Sequence, residues 1–138
     1  MSSLEGSLPP PFAESLAYLR ARRDADARVD AIDANFAYIW VSNILKNDQN
    51  EPPGGWIRLP LAFPYANPHG LVTKVALKRR NEGTVADGHN AGHDMCKPVS
   101  SMGGAHYYSW TWEGAPPLRL PQDILGVVQW YERRIRNG

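Results

Sequence analysis

The chain has 138 residues, 43% of them hydrophobic and 21% charged, with a net charge of +1. That length and composition fit one soluble globular domain spanning 1–138. A near-neutral balance gives no bulk attraction to nucleic acid or to an anionic membrane, and no apolar run is long enough to span a bilayer. Met1 to Gly6 has no basic stretch followed by an apolar one, so no secretory signal is expected. With a single cysteine, the expected location is a reducing cytoplasm. Residues 1–10, which end in Pro9 and Pro10, are expected to be flexible.

In chain order, Pro11 to about Asp24 reads as a helix. A proline is tolerated in its first turn, Glu14 suits the positive end, and Arg20, Arg22 and Arg23 suit the negative end. Phe12, Leu16 and Leu19 form its apolar stripe. Arg28 to Ile32 is a weak strand pattern, and Asp33-Ala34-Asn35 has turn chemistry. Phe36 to Ser42, rich in aromatic and β-branched residues, reads as a strand. Lys46 to Gly55 is a polar turn. From Trp56 to Phe63 the chain alternates, with Ile57, Leu59, Leu61 and Phe63 on one face; Pro60 requires an edge or a bulge there. A further strand is expected from Leu71 to Lys78. The short connections favour an antiparallel meander of four strands. At the C-terminus, Leu120-Pro121-Gln122-Asp123 starts a helix whose face is Ile124, Val128, Tyr131 and Ile135. Trp110 and Trp112, with Tyr107 and Tyr108, form an aromatic cluster expected to pack into the core. The expected class is therefore α+β.

No helix or strand pattern holds from Arg79 to Ala105. A segment of that length is uncommon in a compact domain unless it is functional or disordered. It holds five of the twelve glycines, His89, His93 and Cys96, with His106 directly after it. That is the densest chemistry in the chain. Cys96 has no cysteine to pair with, so it is a small buried hydrophobe, a metal ligand or a nucleophile. For the metal reading, His89, His93, Cys96 and His106 supply four ligands of the type zinc prefers, at a spacing that matches no strong zinc signature. Four protein ligands would leave no open position, so such a zinc would be structural.

Asn35 to Val41, then Asn47 to Pro64, then Ala66-Asn67-Pro68, resembles the ubiquitin-conjugating enzyme (UBC-like) superfamily, closest to its divergent bacterial branch. The shared features are a strand, a turn ending in Gly54-Gly55, and an alternating strand running into a Phe63-Pro64 break. An irregular loop carrying a cysteine, a tryptophan and a proline-led helix follow in order. The resemblance spans about residues 30 to 136 and is most specific from Gly54 to Pro68. It implies a UBC-like fold in which 79–105 is the active-site loop and Cys96 is exposed beside a shallow groove.

Such an enzyme accepts a ubiquitin-like protein from an activating enzyme as a thioester on Cys96, then transfers it to an acceptor. A deconjugating peptidase would serve the same system, of a kind associated with phage defence. No cofactor is implied. The family's His-Pro-Asn motif is replaced here by His89-Asn90, so Asn90 is the nearest candidate for stabilising the oxyanion. His93 and Lys97 would favour the thiolate. Lys97, His89 and Trp110 would contact the incoming protein. An alternative within the fold is a catalytically inactive adaptor that binds the ubiquitin-like protein or its activating enzyme.

Overall fold

The computed structural model of the protein describes residues 4–44, 54–77, 89–92, 94–112 and 118–137, with the backbone alone at 89, 90, 136 and 137. The architecture is α+β. Helix α1 (Pro10–Arg22) precedes strands β1 (Arg28–Ile32), β2 (Phe36–Val41), β3 (Gly55–Pro60) and β4 (His69–Thr73). Then come β5 (His89–Ala91), a 3-10 segment (Asp94–Met102), β6 (His106–Thr111) and helix α2 (Asp123–Asn137). All strand pairs are antiparallel, in the order β1-β2-β3-β4-β6-β5. The expected meander is present as β1 to β4. The sheet has six strands among the described residues rather than four, because the loop region returns to extend it beyond β4.

Both helices cover one face of this sheet. The stripe of α1, Phe12, Leu16 and Leu19, is buried, as are Ile124, Val127, Val128, Tyr131 and Ile135 of α2. They meet Ala37, Ile39 and Val41 of β2, Ile57 and Leu59 of β3, and Tyr108 and Trp110 of β6 in one core. The period-2 alternation of each strand sends these residues to the helix side. Two of the three arginines at the end of α1, Arg20 and Arg23, are partnered. Arg20 pairs with Glu5 at 2.7 Å and donates to the Ala27 carbonyl at 2.8 Å, while Arg23 pairs with Glu132 of α2. The Asp123 carboxylate accepts from the backbone N–H groups of Leu120 and Arg119 at 2.8 and 2.9 Å, fixing the chain as it enters α2.

In the described part of the stretch over 1–10, expected to be flexible, three side chains make packing or ionic contacts. Leu8 is buried in the helix-side core, Leu4 packs against it, and Glu5 is held by Arg20. The strand expected from Leu71 to Lys78 ends at Thr73. There the Thr73 hydroxyl donates to the Val75 carbonyl at 2.5 Å, and the chain turns so that the Leu77 N–H reaches the Tyr108 hydroxyl at 2.7 Å. That is a local side-chain bond displacing a ladder bond. Pro60 sits at the end of β3, beyond the last residue paired to β4, where no ladder donor is needed on that side.

Gly126 lies inside α2 with open space where a Cβ would stand. A glycine there costs backbone entropy that alanine does not. Gly126→Ala is expected to raise stability by about 0.5–1 kcal/mol, measured as a higher urea midpoint at unchanged slope.

Candidate functional site

The second face of the sheet carries the chemistry. β2 and β3 are buried on both faces, so Tyr38, Trp40, Trp56 and Arg58 point away from the helices. Trp40 and Trp56 face each other across the strands with ring centroids 4.8 Å apart. A bulge at Asp30 shifts the register of β1, so Val29 joins the helix-side core and Ala31 the opposite one. The Asp30 carboxylate accepts from Trp56 Nε1 at 2.8 Å and from Arg28 Nε at 2.7 Å.

The 3-10 segment lies over this face. Cys96 and Val99 turn inward onto Ala31, Tyr38, Trp40, Trp56, Val72 and Tyr107, while Asp94, Lys97, Ser100, Ser101 and Met102 are exposed. Cys96 is 3% exposed. The expected surface thiol is therefore corrected: in this conformation the thiol is covered. The reason is the segment's short period. With three residues per turn, Cys96 and Val99 fall on one side and their apolar character turns that side to the sheet.

Lys97, next in sequence, lies outward and pairs with Asp94 at 3.3 Å. Trp110 is also corrected as a contact for an incoming protein. It is 5% exposed and belongs to the helix-side core, across the sheet from Cys96, with Arg134 stacked 4.9 Å from its ring. The aromatic cluster does pack into the core, and it is divided by strand alternation: Tyr107 lies beneath the 3-10 segment, Tyr108 and Trp110 beneath the helices. Trp112 is half-buried beside Trp130.

His89 and Asn90 lie on β5, in register with Tyr108 and Tyr107 of β6. Asn90 is thus placed one strand from Tyr107, a neighbour of Cys96 in the buried cluster. His93 lies outside the described residues. His106 opens β6, paired with Ala91 and with Thr73. Among the described residues, no three His, Cys, Asp or Glu side chains gather to hold a metal ion, and no helix is long and apolar enough to cross a membrane.

Sequence reasoning missed Arg58. Its side chain is only 5% exposed. Nε donates to the Tyr38 hydroxyl at 3.1 Å; Nη1 donates to the His69 carbonyl at 2.8 Å and to the Tyr107 hydroxyl at 3.4 Å. Asp33 stands 4.0 Å from Nη2, and the Phe36 ring lies 4.1 Å from the guanidinium carbon. The His69 bond spans the place where β3 has outrun β4, so the guanidinium replaces ladder hydrogen bonds. The signal available was Tyr38, directly opposite Arg58 in register, together with a β2 sequence too apolar to leave either face wet.

Burial raises the Tyr107 and Tyr38 phenols above their ordinary range. Arg58 opposes both shifts, and charge at Cys96 adds to that of Tyr107. Burial, and then the Arg58 charge, lower the His69 imidazole below its ordinary value of 6.5. A base that holds its proton less well folded than unfolded makes the protein less stable as pH falls from 6.5 through the folded midpoint. An NMR titration is expected to place the His69 midpoint below 6.5, and Arg58→Met to move it back upward.

On the far side of the molecule, Pro9, Pro11, Leu61, Ala62, Phe63 and Tyr65 line an apolar groove between the start of α1 and the turn after β3. Tyr65 is 67% exposed there. The Phe63–Pro64 peptide in this turn is cis. Comparison with protein-family models, with curated proteins and with solved structures finds no match to this chain.

Proposed function

We propose that the protein is a ubiquitin-conjugating-like module that engages a ubiquitin-like protein and its activating enzyme, and that it carries the ubiquitin-like protein as a thioester on Cys96. The observation that carries this reading is the order of elements around the Gly54–Pro68 stretch. An N-terminal helix, a four-strand meander with the Phe63-Pro64 break between β3 and β4, a cysteine-bearing segment and a C-terminal helix come in the order the resemblance implies, with β5 and β6 added on either side of the cysteine-bearing segment. The apolar groove at the Phe63-Pro64 turn supplies exposed apolar surface of the kind a protein partner needs.

Thioester formation needs an accessible thiolate, so the 3-10 segment must leave the sheet first. Uncovering Val99 and Cys96 costs about 3 kcal/mol at the usual worth of a buried aliphatic side chain. An opening of that size is populated by roughly one molecule in 150. That fraction slows the transfer by the same factor and does not abolish it, and a docked partner that prefers the open form removes the penalty.

The 3% exposure of Cys96 favours a second reading, in which the module is a non-catalytic adaptor for the same partners. Incubation with a bacterial activating enzyme and its own ubiquitin-like protein, with ATP, separates the two. The enzyme gives a reductant-sensitive adduct that Cys96→Ala lacks. The adaptor co-elutes with one partner and gives no adduct.

A further inference from the structure

We infer that the Asp94–Met102 segment is a lid on the sheet that keeps its own Cys96 thiol buried and opens as a unit while the rest of the fold stays intact; this deepens the thioester reading above. The segment is closed at its base. The Gly92 N–H donates to the Ala105 carbonyl at 2.8 Å, and the Ala105 N–H to the Thr73 carbonyl at 3.0 Å. The chain therefore leaves and rejoins the sheet at one point, which is the geometry of a compact surface loop. Gly92 at φ +65° and Gly103 at φ +98° flank the segment, in a backbone region that only glycine adopts without cost.

Its own hydrogen bonds turn inward on themselves. The Ser100 hydroxyl donates to the Lys97 carbonyl at 3.0 Å, the Gly103 N–H to the Ser100 carbonyl at 3.1 Å, and the Gly104 N–H to the Val99 carbonyl at 3.0 Å. These bonds survive if the segment moves as one piece. What holds it to the sheet includes the burial of two small side chains, Cys96 and Val99, against the tryptophan pair and Tyr107. The helix-side core, by contrast, buries Phe12, Leu16, Leu19 and the whole inner stripe of α2. The segment therefore buries fewer apolar side chains than either helix does, and local opening draws on such contacts.

The test is the rate at which iodoacetamide alkylates Cys96 in the whole chain, where the thiolate displaces iodide and gains a carbamidomethyl group. Labelling in buffer is expected to be about 100- to 1000-fold slower than in the denatured chain, as burial of two small apolar side chains implies, and to depend on urea far less steeply than global unfolding does. Val99→Ala is expected to speed labelling about tenfold. Leu16→Ala, in the opposite core, is expected to lower the global urea midpoint and leave labelling in buffer unchanged.

Two results overturn the lid: labelling whose urea dependence equals that of global unfolding, or labelling in buffer as fast as in the denatured chain. If Val99→Ala does not fold, the urea dependence of the unaltered chain still decides. Alkylation needs no partner protein, so the lid stands or falls independently of adduct formation.

Discussion

Replacing Arg58 with methionine is expected to destabilise the protein by about 3–4 kcal/mol, read as a lower urea midpoint. Methionine fills much of the same volume beside Phe36 and supplies no donor. The His69 carbonyl and the Tyr107 hydroxyl then lose bonds from the charged guanidinium, at 2.8 and 3.4 Å, and hydrogen bonds to charged groups are worth about 1.5–3 kcal/mol each. Tyr38 suffers less, because its hydroxyl also reaches Asp33 at 3.4 Å. The guanidinium is almost wholly buried, so solvent screens little of this loss. Tyr107→Phe alone is expected to cost about 1 kcal/mol, and the double variant less than the sum, because the Arg58–Tyr107 bond is counted in both single variants. Additive losses would mean that Arg58 and Tyr107 are not coupled.

A loss of similar size is expected for Gly54→Ala, on the order of 3–4 kcal/mol. At φ +106° the Gly54 backbone lies where a Cβ is strained, and that Cβ would stand 2.2 Å from the Trp40 ring. The first term is about 1–3 kcal/mol, and displacing a packed ring adds about 1–3 kcal/mol. Trp40 has nowhere easy to go. It leans on Trp56, carries the Lys74 ammonium 4.9 Å from its ring, and forms part of the floor beneath Cys96. Gly54→Ala should therefore also speed Cys96 alkylation. A midpoint equal to that of the unaltered chain would show that the close approach of Gly54 and Trp40 is not needed.

The elements with strong local patterns were legible in the sequence. The stripe of α1, the face of α2 and the turn at Asp33 follow from period and turn chemistry and are where those rules put them, whereas the alternating strand expected from Trp56 to Phe63 ends at Pro60 and Leu61 and Phe63 fall in the turn after it. β5 and β6 were not foreseen. Tyr107 to Trp112 reads as an aromatic cluster whichever face each ring takes, and a three-residue strand such as β5 has too little sequence to show a period.

The candidate site was half legible. Of the segment around Cys96, the described Asp94–Met102 stretch is a 3-10 helix that lies over the sheet. The direction of its cysteine was not readable, because polar neighbours such as Asp94 and Lys97 suggested exposure. In a 3-10 turn those neighbours point outward while Cys96 and Val99 point in. Trp110 was expected to contact the incoming protein, yet the alternation of β6 sends it into the helix-side core. Arg58 escaped because one cation in an alternating strand reads as the solvent side, and only pairing with β2 reveals a wall of tyrosine and phenylalanine around it.

The most direct test of the thioester reading is the intact mass of the protein after reaction with an activating enzyme, its ubiquitin-like protein and ATP under non-reducing conditions. The reading predicts a mass gain of one ubiquitin-like protein less one water, reversed by a thiol reductant and absent in Cys96→Ala. An unchanged mass, with the activating enzyme demonstrably charged in the same tube, would contradict it.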